Sequence, residues 1–540
     1  MSLLLRDLRV PLELEGLPPA ELAARKLGVT VDSASILRKS LDARAGREPV
    51  FIYTLRLDLT PAAARRLAKR RRPRGVALVD EATSAARELN APTRTPPERA
   101  PLRHRPVIVG AGPAGLFAAW QLLRDGFRPL LLERGQDATT RARQWFDFLG
   151  GGAFDPESNL LFGEGGAGTF SDGKLTTRIK DPRVASVLNV FVQHGAPEST
   201  RWLAKPHLGS NALPGMVRAM RRALVAAGAE VRFGVRVDEL LVERDAVVGL
   251  RCGDERIDAD AVVLAIGHSA RDTYDMLIDK GVAMTAKPFQ LGLRVEHPQE
   301  FVDRAQYGAA CGHPNLPVAE YSLVSRKPAG AGDVYSFCMC PGGEILPATQ
   351  RAGLLCVNGA SPRARDGRFA NSGVVITVQP GEFGDTPRGG LALQERLEAR
   401  AFQLGGNDFG APGQRVVDFL ANRVSTSLGP TSYPFAVRSA PLAEVLPDNA
   451  VPALQAALRD FDRKLPGYVC DEAMLVGPES RSSAPLRIER GDDHASISHA
   501  GLYPVGEGAG WAGGIVSAAV DGLRAAEALA VSFRPASNAG

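Results

Sequence analysis

Val107-Ile108-Val109-Gly110-Ala111-Gly112-Pro113-Ala114-Gly115 reads as a short buried strand that turns through glycines into a helix over Leu116 to Asp125. Gly110 permits the tight strand-to-helix turn, Gly112 lets the backbone approach a pyrophosphate, and Gly115 lets the helix lie close on the strand. With Pro113 and Ala114 opening it, the helix offers free N–H groups and a partial positive charge to phosphates. A second strand, Pro129 to Leu132, ends at Glu133, about 20 residues on, where a carboxylate meets ribose hydroxyls in such units. Glycine turns arise by chance. A strand, glycines, helix, strand and terminal carboxylate in register point instead to a dinucleotide site.

This βαβ unit suits FAD and NAD alike, and the far end of the sequence separates them. Leu502 to Val505 reads as a strand, followed by Gly506-Glu507-Gly508-Ala509-Gly510-Trp511-Ala512-Gly513-Gly514 and a helix from Ile515 to about Leu529. A flavin needs an acceptor for its ribityl hydroxyls, and Glu507 suits that task. Its N1–C2=O edge gathers negative charge on reduction, and the backbone amides of Gly514, Ile515 and Val516 suit that one. A second, independent nucleotide fold is set aside, because no further strand ending in an acid follows. Val262 to Gly267 is an apolar strand ending at a glycine, placed where two-part flavin folds return past the cofactor. Upstream, Gly163 to Lys174 is too rich in glycine for a regular element and suits close backbone approach to pyrophosphate and ring. From this loop Gly165, Gly166, Gly168, Thr169 and Asp172 join the expected cofactor-binding positions, as do Arg134, Val237 and Gly267.

The whole sequence supports this scale of architecture. It has 540 residues, 44% hydrophobic and 23% charged, enough for about two to four globular domains. Cysteines stand only at 252, 311, 338, 340, 356 and 470. None form a CxxC pair, so a structural zinc site and a disulfide scaffold are not expected. No stretch approaches the ~20 apolar residues of a membrane span. The opening Leu3-Leu4-Leu5 run is too short for a signal core, so a cytoplasmic location is expected. Charge is uneven: residues 1–104 carry a net +8 and the remainder a net −3, within a total of +5.

The expected fold class is α/β. It comprises a discontinuous FAD-binding Rossmann domain of the two-dinucleotide type, an inserted β-rich substrate domain, and a small N-terminal α/β domain. Boundaries fall at 1–90 for the basic N-terminal domain, 91–105 for a Pro-rich linker, and 106–290 for the first part of the FAD domain. The insertion spans 291–464, the second FAD part 465–531, and a polar tail 532–540. In the N-terminal unit, Leu5 to Leu14 reads as a strand, Pro19 to Leu27 as a helix closed by Gly28, and Val50 to Leu59 as a half-buried strand.

Taken together, these stretches resemble the bacterial family of FAD-dependent, or NAD(FAD)-utilising, dehydrogenases of the glutathione-reductase-like flavoprotein fold. Gly163 to Leu175, Ala265 to Tyr274, Tyr335-Ser336-Phe337-Cys338-Met339-Cys340-Pro341-Gly342-Gly343, Glu479 to Ile488 and Gly501 to Glu527 all follow its pattern. Ser40-Leu41-Asp42-Ala43-Arg44 resembles its leading domain. Gly359-Ala360-Ser361-Pro362 departs where the family tends to have Gly-Met-Ser, and Trp511 stands where Tyr is usual. The resemblance implies FAD and redox chemistry, and no particular substrate.

A flavin carries the electron transfer, so the protein supplies orientation, electrostatics and proton handling. Residues 134–251 contain no cysteine, which excludes the CxxxxC disulfide reductases of this fold. Cys338 and Cys340, one residue apart on a strand, would face the same side within disulfide reach, or serve as inert core. Lys174, in the flavin-facing loop, and His207, after Lys205-Pro206, are the candidate catalytic residues. A solvated lysine and a surface histidine are their ordinary alternatives, and His268 reads equally well as a structural cap. The basic run at 65–74 reads as a solvated helix face rather than a nucleic-acid site, since no aromatic RNA motif accompanies it. The sequence therefore points to an FAD-dependent oxidoreductase, of the dehydrogenase or reductase type, acting on a small molecule. NAD(P)H would bind transiently, if it is the donor. A flavin monooxygenase, a metabolite saturase and an RNA-associated flavoprotein are the alternatives. The sequence does not define an oligomeric state.

Overall fold

The computed structural model describes residues 2–44, 47–68, 76–78 and 100–535. Arg65 and Arg66 of the basic run end the helix Pro61–Ala68. Residues 69–74 of that run, most of the Pro-rich linker and residues 536–540 lie outside the described residues. The chain forms two compact units, one of 1–96, 197–206 and 303–319 and one of the remainder.

In the first unit, period-two alternation builds an antiparallel sheet in the order Ser33–Asp42, Val50–Asp58, Ser2–Pro11, Val76–Leu78. Phe51, Tyr53, Leu55 and Leu57 point inward with Leu3, Leu5, Leu8 and Val10, the pattern of a sheet with one buried face. Helix Pro19–Leu27 covers that face and ends where Gly28 turns left-handed at φ 63°. The first strand stops at Pro11, earlier than its apolar run suggests, and Leu12–Leu14 forms a 3-10 turn. Segment 197–206 adds to the sheet edge through Lys39 N–H to the Trp202 carbonyl and Ala204 N–H to the Lys39 carbonyl, each 2.8 Å.

In the second unit, a five-stranded parallel sheet runs Leu502–Pro504, Val262–Leu264, Val107–Val109, Leu130–Glu133, Glu230–Phe233. Its central strands are apolar on both faces. Ile108, Leu131 and Val263 pack with helices Pro113–Arg124 and Ile515–Ser532. Val107, Val109, Leu130, Leu132, Val262 and Leu264 pack with Leu240, Val247 and Leu250 on the strands Glu239–Glu243 and Ala246–Cys252. Helices Pro113–Arg124 and Ile515–Ser532 meet through alanine-rich faces. A side chain at Gly522 would stand 2.1 Å from the Ala114 carbonyl oxygen, so these helices pack backbone to backbone. The first begins at Pro113, three residues before the sequence reading places it, because proline suits the opening position of a helix.

A small antiparallel sheet, Glu239–Glu243, Ala246–Cys252 and Glu255–Asp258, precedes Val262–Leu264. The chain then builds a large, mostly antiparallel sheet. Phe289–Pro298 lies at its centre, between Phe369–Val378 and Met474–Glu479. Val334–Pro347 pairs beyond Phe369–Val378. Met284–Ala286 and Leu486–Ile488 pair where the chain leaves and re-enters this region. The return delivers Leu502–Pro504 beside Val262–Leu264, so residues 240 positions apart in reading order pair at one edge of the parallel sheet. The molecule is thus mixed α/β with a Rossmann-type parallel sheet. Among the described residues no helix is long and apolar enough to cross a membrane.

Candidate functional site

Parallel strands of this kind leave a crevice at their carboxyl ends. A cavity of about 450 Å³ opens there. Gly110, Gly112, Pro113 and Ala114 form one wall, and Glu133, Arg134 and Val237 another. Gly166, Gly168, Asp172 and Lys174 come from the glycine loop, and Gly267, Glu507, Gly514 and Ile515 complete the lining. Gly115, Gly165, Thr169, His207 and Val516 do not line it. A second cavity of about 580 Å³ shares Leu161, Ala167, His268, Phe337, Cys338, Glu507 and Gly514 with the first, and adds Lys287, Glu479, Arg481 and Arg487.

The glycines divide by what surrounds them. Gly110 has φ +105°, and a Cβ there would lie 2.3 Å from the Ala265 carbonyl oxygen; one at Gly115 would lie 1.9 Å from the Gly110 oxygen. Both are required by the protein's own packing. At Gly112 the nearest atom to a Cβ is 3.8 Å away, and at Gly267 and Gly514 nothing lies within 4 Å. Those three leave open space beside the cavity.

Glu133 is buried and binds three segments together. Its carboxylate accepts from the amides of Ala111 (2.8 Å), Gly135 (3.0 Å) and Gly163 (2.9 Å). Arg134 pairs with Glu157 and Asp272 and covers the Phe162 ring. Arg141, which sequence reasoning missed, has no exposed surface. It donates to the carbonyls of Asn159, Leu160, Glu164 and Gly166, and so sets the path of the glycine loop. Thr169 supports the same loop from within, its hydroxyl donating to the Glu164 carbonyl at 2.9 Å.

Glu507 accepts the Gly514 amide at 3.1 Å. Burial pushes its carboxyl up to about 7, against the Gly514 hydrogen bond and the Lys287 charge. The Gly514 N–H is therefore directed to Glu507, while Val516 is packed in the core. Asp172 holds Lys174 at 2.9 Å and Arg365 at 3.0 Å. Lys174 also donates to the Met339 carbonyl. His207 meets Lys174 through a backbone bridge, and its Nε2 lies 3.3 Å from the Arg363 carbonyl. Burial and the Arg365 charge lower its pKa. His268 lines both cavities, and burial followed by Arg271 and Arg481 pushes it down to about 3.

The large sheet contributes a buried polar cluster that single-strand patterning did not reveal. Arg294 has no exposed surface and pairs with Glu479 at 2.8 and 3.1 Å, with Asn371 accepting from it at 2.6 Å. Burial pushes Glu479 up to about 7, with Arg294 opposing. Cys338 lies next to this cluster and lines both cavities.

A family model described as FAD-dependent protein, C-terminal domain-like, matches residues 288–482, and one described as NAD(P)-binding Rossmann-like domain matches residues 108–167. An "Uncharacterized protein" of Clostridium beijerinckii is 45% identical over 435 residues, covering 80% of this chain and 82% of that protein. Thiamine thiazole synthase of Aeropyrum pernix is 27% identical over 201 residues, covering 34% of this chain and 62% of that enzyme. The solved glycerol-3-phosphate dehydrogenase from Bacillus halodurans, complexed with FAD, aligns over 79% of this chain and 64% of its own at 12% identity, with a TM-score of 0.34.

Proposed function

We propose, because this chain belongs to the FAD-dependent oxidoreductase family and carries a Rossmann-type nucleotide-binding domain, that it is a dehydrogenase or reductase of small organic molecules. On this reading it falls among the NAD(FAD)-utilising dehydrogenases, and FAD lies along the carboxyl ends of the parallel strands. The observation that carries the reading is the convergence of the 110–115 fingerprint and the 507–515 segment on one cavity.

The residues present suit the cofactor. Gly112 has room on its cavity side, and Gly267 and Gly514 face open space, as close approach of a nucleotide and a planar ring requires. Gly110, Gly112, Pro113, Ala114, Gly166 and Gly168 would hold the pyrophosphate, with Glu133 on the ribose. Arg134 and Val237 would border the nucleotide end. Glu507 would receive ribityl hydroxyls, and Ile515 with Val516 would bring a helix N-terminus to the ring edge. Gly115, Gly165 and Thr169 would act by shaping the loops behind these contacts.

Bound FAD would supply two-electron transfer; the remaining tasks belong to the chain. Lys174, fixed by Asp172, places a cation in the cavity where negative charge is favoured. Glu507, with its carboxyl near 7, can hold or release a proton at its carboxylate oxygen around neutral pH. His207 sits behind Lys174 and supports its backbone position. Among the described residues only one complete dinucleotide fingerprint occurs, so NAD(P)H, if it is the donor, would bind transiently.

Anaerobic titration of the FAD-loaded protein with NADH, NADPH and a panel of metabolites, followed by flavin absorbance, tests the reading. Bleaching by one of these compounds supports a dehydrogenase or reductase. A flavin bleached by a pyridine nucleotide that then consumes oxygen rapidly when substrate is added would favour a monooxygenase instead.

A further inference from the structure

Simple alternation along Val334–Pro347 would put Cys338 and Cys340 on one face, and the fold does something else. Pairing with Phe369–Val378 slips between Phe337 and Cys340, and Cys338 takes φ +43°, a left-handed backbone that a cysteine rarely adopts. Cys340 is left fully buried, whereas Cys338 lines both cavities. Cations reach the pair from two other segments. Lys174, paired with Asp172, donates to the carbonyl of Met339, the residue between the cysteines. Arg294, held by Glu479 and Asn371, reaches the Cys338 carbonyl at 3.4 Å, and Cys340 Sγ lies 3.2 Å from the same oxygen. All six cysteines are free thiols. A backbone drawn out of its strand to bring a thiol to a cavity, next to two cations, is the environment of a reactive cysteine rather than of core packing.

We propose that Cys338 is the nucleophilic thiolate of a dithiol pair, that Cys340 is its resolving thiol, and that the pair reduces small-molecule disulfides entering the cavity. The Cys338 thiolate attacks one sulfur of RS–SR; the S–S bond breaks, and the departing RS⁻ takes a proton from water. Cys340 then attacks the Cys338 sulfur of the mixed disulfide, its proton passing to the second RS⁻ as that leaves. Two electrons move from the protein dithiol to the small disulfide. The small disulfide becomes two RSH, and Cys338 and Cys340 become joined. This step rests on the thiols and does not depend on flavin binding.

The surrounding charges agree with the assignment. The hydrogen bond with Cys340, then the Lys174 and Arg294 charges, hold Cys338 below the ordinary thiol range against its burial and Asp172. The Cys338 partner and burial push Cys340 above that range. Glu479 and Tyr321 also face the pair, and His268 lines the same cavity.

Full-length protein, reduced and desalted, with and without added FAD, is alkylated with iodoacetamide across a pH series and mapped by peptide mass spectrometry. Cys338 is expected to label at about pH 6 at least ~10-fold faster than Cys252, Cys311 and Cys470. Oxidised glutathione is expected to produce the Cys338–Cys340 disulfide in wild type and a trapped mixed disulfide on Cys338 in Cys340→Ser. Lys174 is a positioning residue: Lys174→Met should move the alkylation midpoint to higher pH, and Lys174→Arg should restore it. Cys338 labelling only in the alkaline range, or both thiols remaining free in wild type after oxidised glutathione, would overturn the proposal. Both decisive readings use wild-type protein, so a variant that fails to fold leaves them intact. A protein that binds no FAD yet shows them separates this proposal from the flavin reading.

Discussion

Gly110 and Gly112 stand two residues apart and have different reasons to be glycine, which a pair of substitutions separates. Gly110→Ala forces a Cβ to 2.3 Å from a backbone oxygen at φ +105°. It should cost about 3 kcal/mol or more, visible in thermal unfolding without any cofactor. Gly112→Ala meets nothing closer than 3.8 Å. It should leave unfolding unchanged and weaken FAD binding by ~10-fold or more, read by flavin fluorescence titration. Glu507 allows a sign-specific test. Burial raises its carboxyl from 4.5 to about 7 in the folded protein, so the fold binds this proton more tightly than the unfolded chain does. Its contribution is fully present below 4.5 and is lost as pH rises to about 7, at about 1.4 kcal/mol per pH unit. The stability of apoprotein relative to Glu507→Gln should therefore fall across that window and then level off in denaturant melts. A flat difference would show that Glu507 is not desolvated. Glu479, also raised to about 7 by burial, is present in both proteins, which is why the comparison is made with Glu507→Gln rather than on wild type alone.

At the scale of elements, the glycine loop has little apolar content, and Arg141 gives it a fixed path through four carbonyl contacts. Arg141→Met keeps the length of the side chain and strands those buried oxygens. We expect a loss of about 2–4 kcal/mol, earlier proteolytic cleavage between 159 and 168, and loss of FAD retention. Cleavage and retention unchanged from wild type would mean that the loop holds its shape without the guanidinium. The parallel-sheet elements were legible because apolar strands, glycine turns and a helix are local signals. The helix among them starts a few residues early where Pro113 sets the boundary, as Pro11 ends the first strand of the N-terminal antiparallel sheet early. Strand Ser33–Asp42 was missed because it is only partly buried, which blurs alternation. The slip at Cys338 depends on pairing with a strand more than thirty residues away, and no local pattern announces it.

Across the whole molecule, the sequence already held both halves of the nucleotide crevice, since each is a short motif with its own chemistry. It did not reveal Arg294 with Glu479, which lie 185 positions apart. In a one-dimensional reading each is a charge interrupting an apolar strand, and only the sheet register joins them. Segments 197–206 and 303–319, which belong to the N-terminal unit, are likewise too short and aperiodic to be assigned from sequence. Lys174 and Asp172 were placed by their loop and lie in the cavity, whereas His207 lies behind it. The most direct test is calorimetric titration of the full-length apoprotein with FAD, repeated on Gly112→Ala and Glu507→Gln. One FAD per chain in wild type, with each substitution weakening that same binding event, is the predicted result. No heat and no yellow colour after reconstitution, or wild-type affinity in both variants, would contradict a single flavin spanning the two segments.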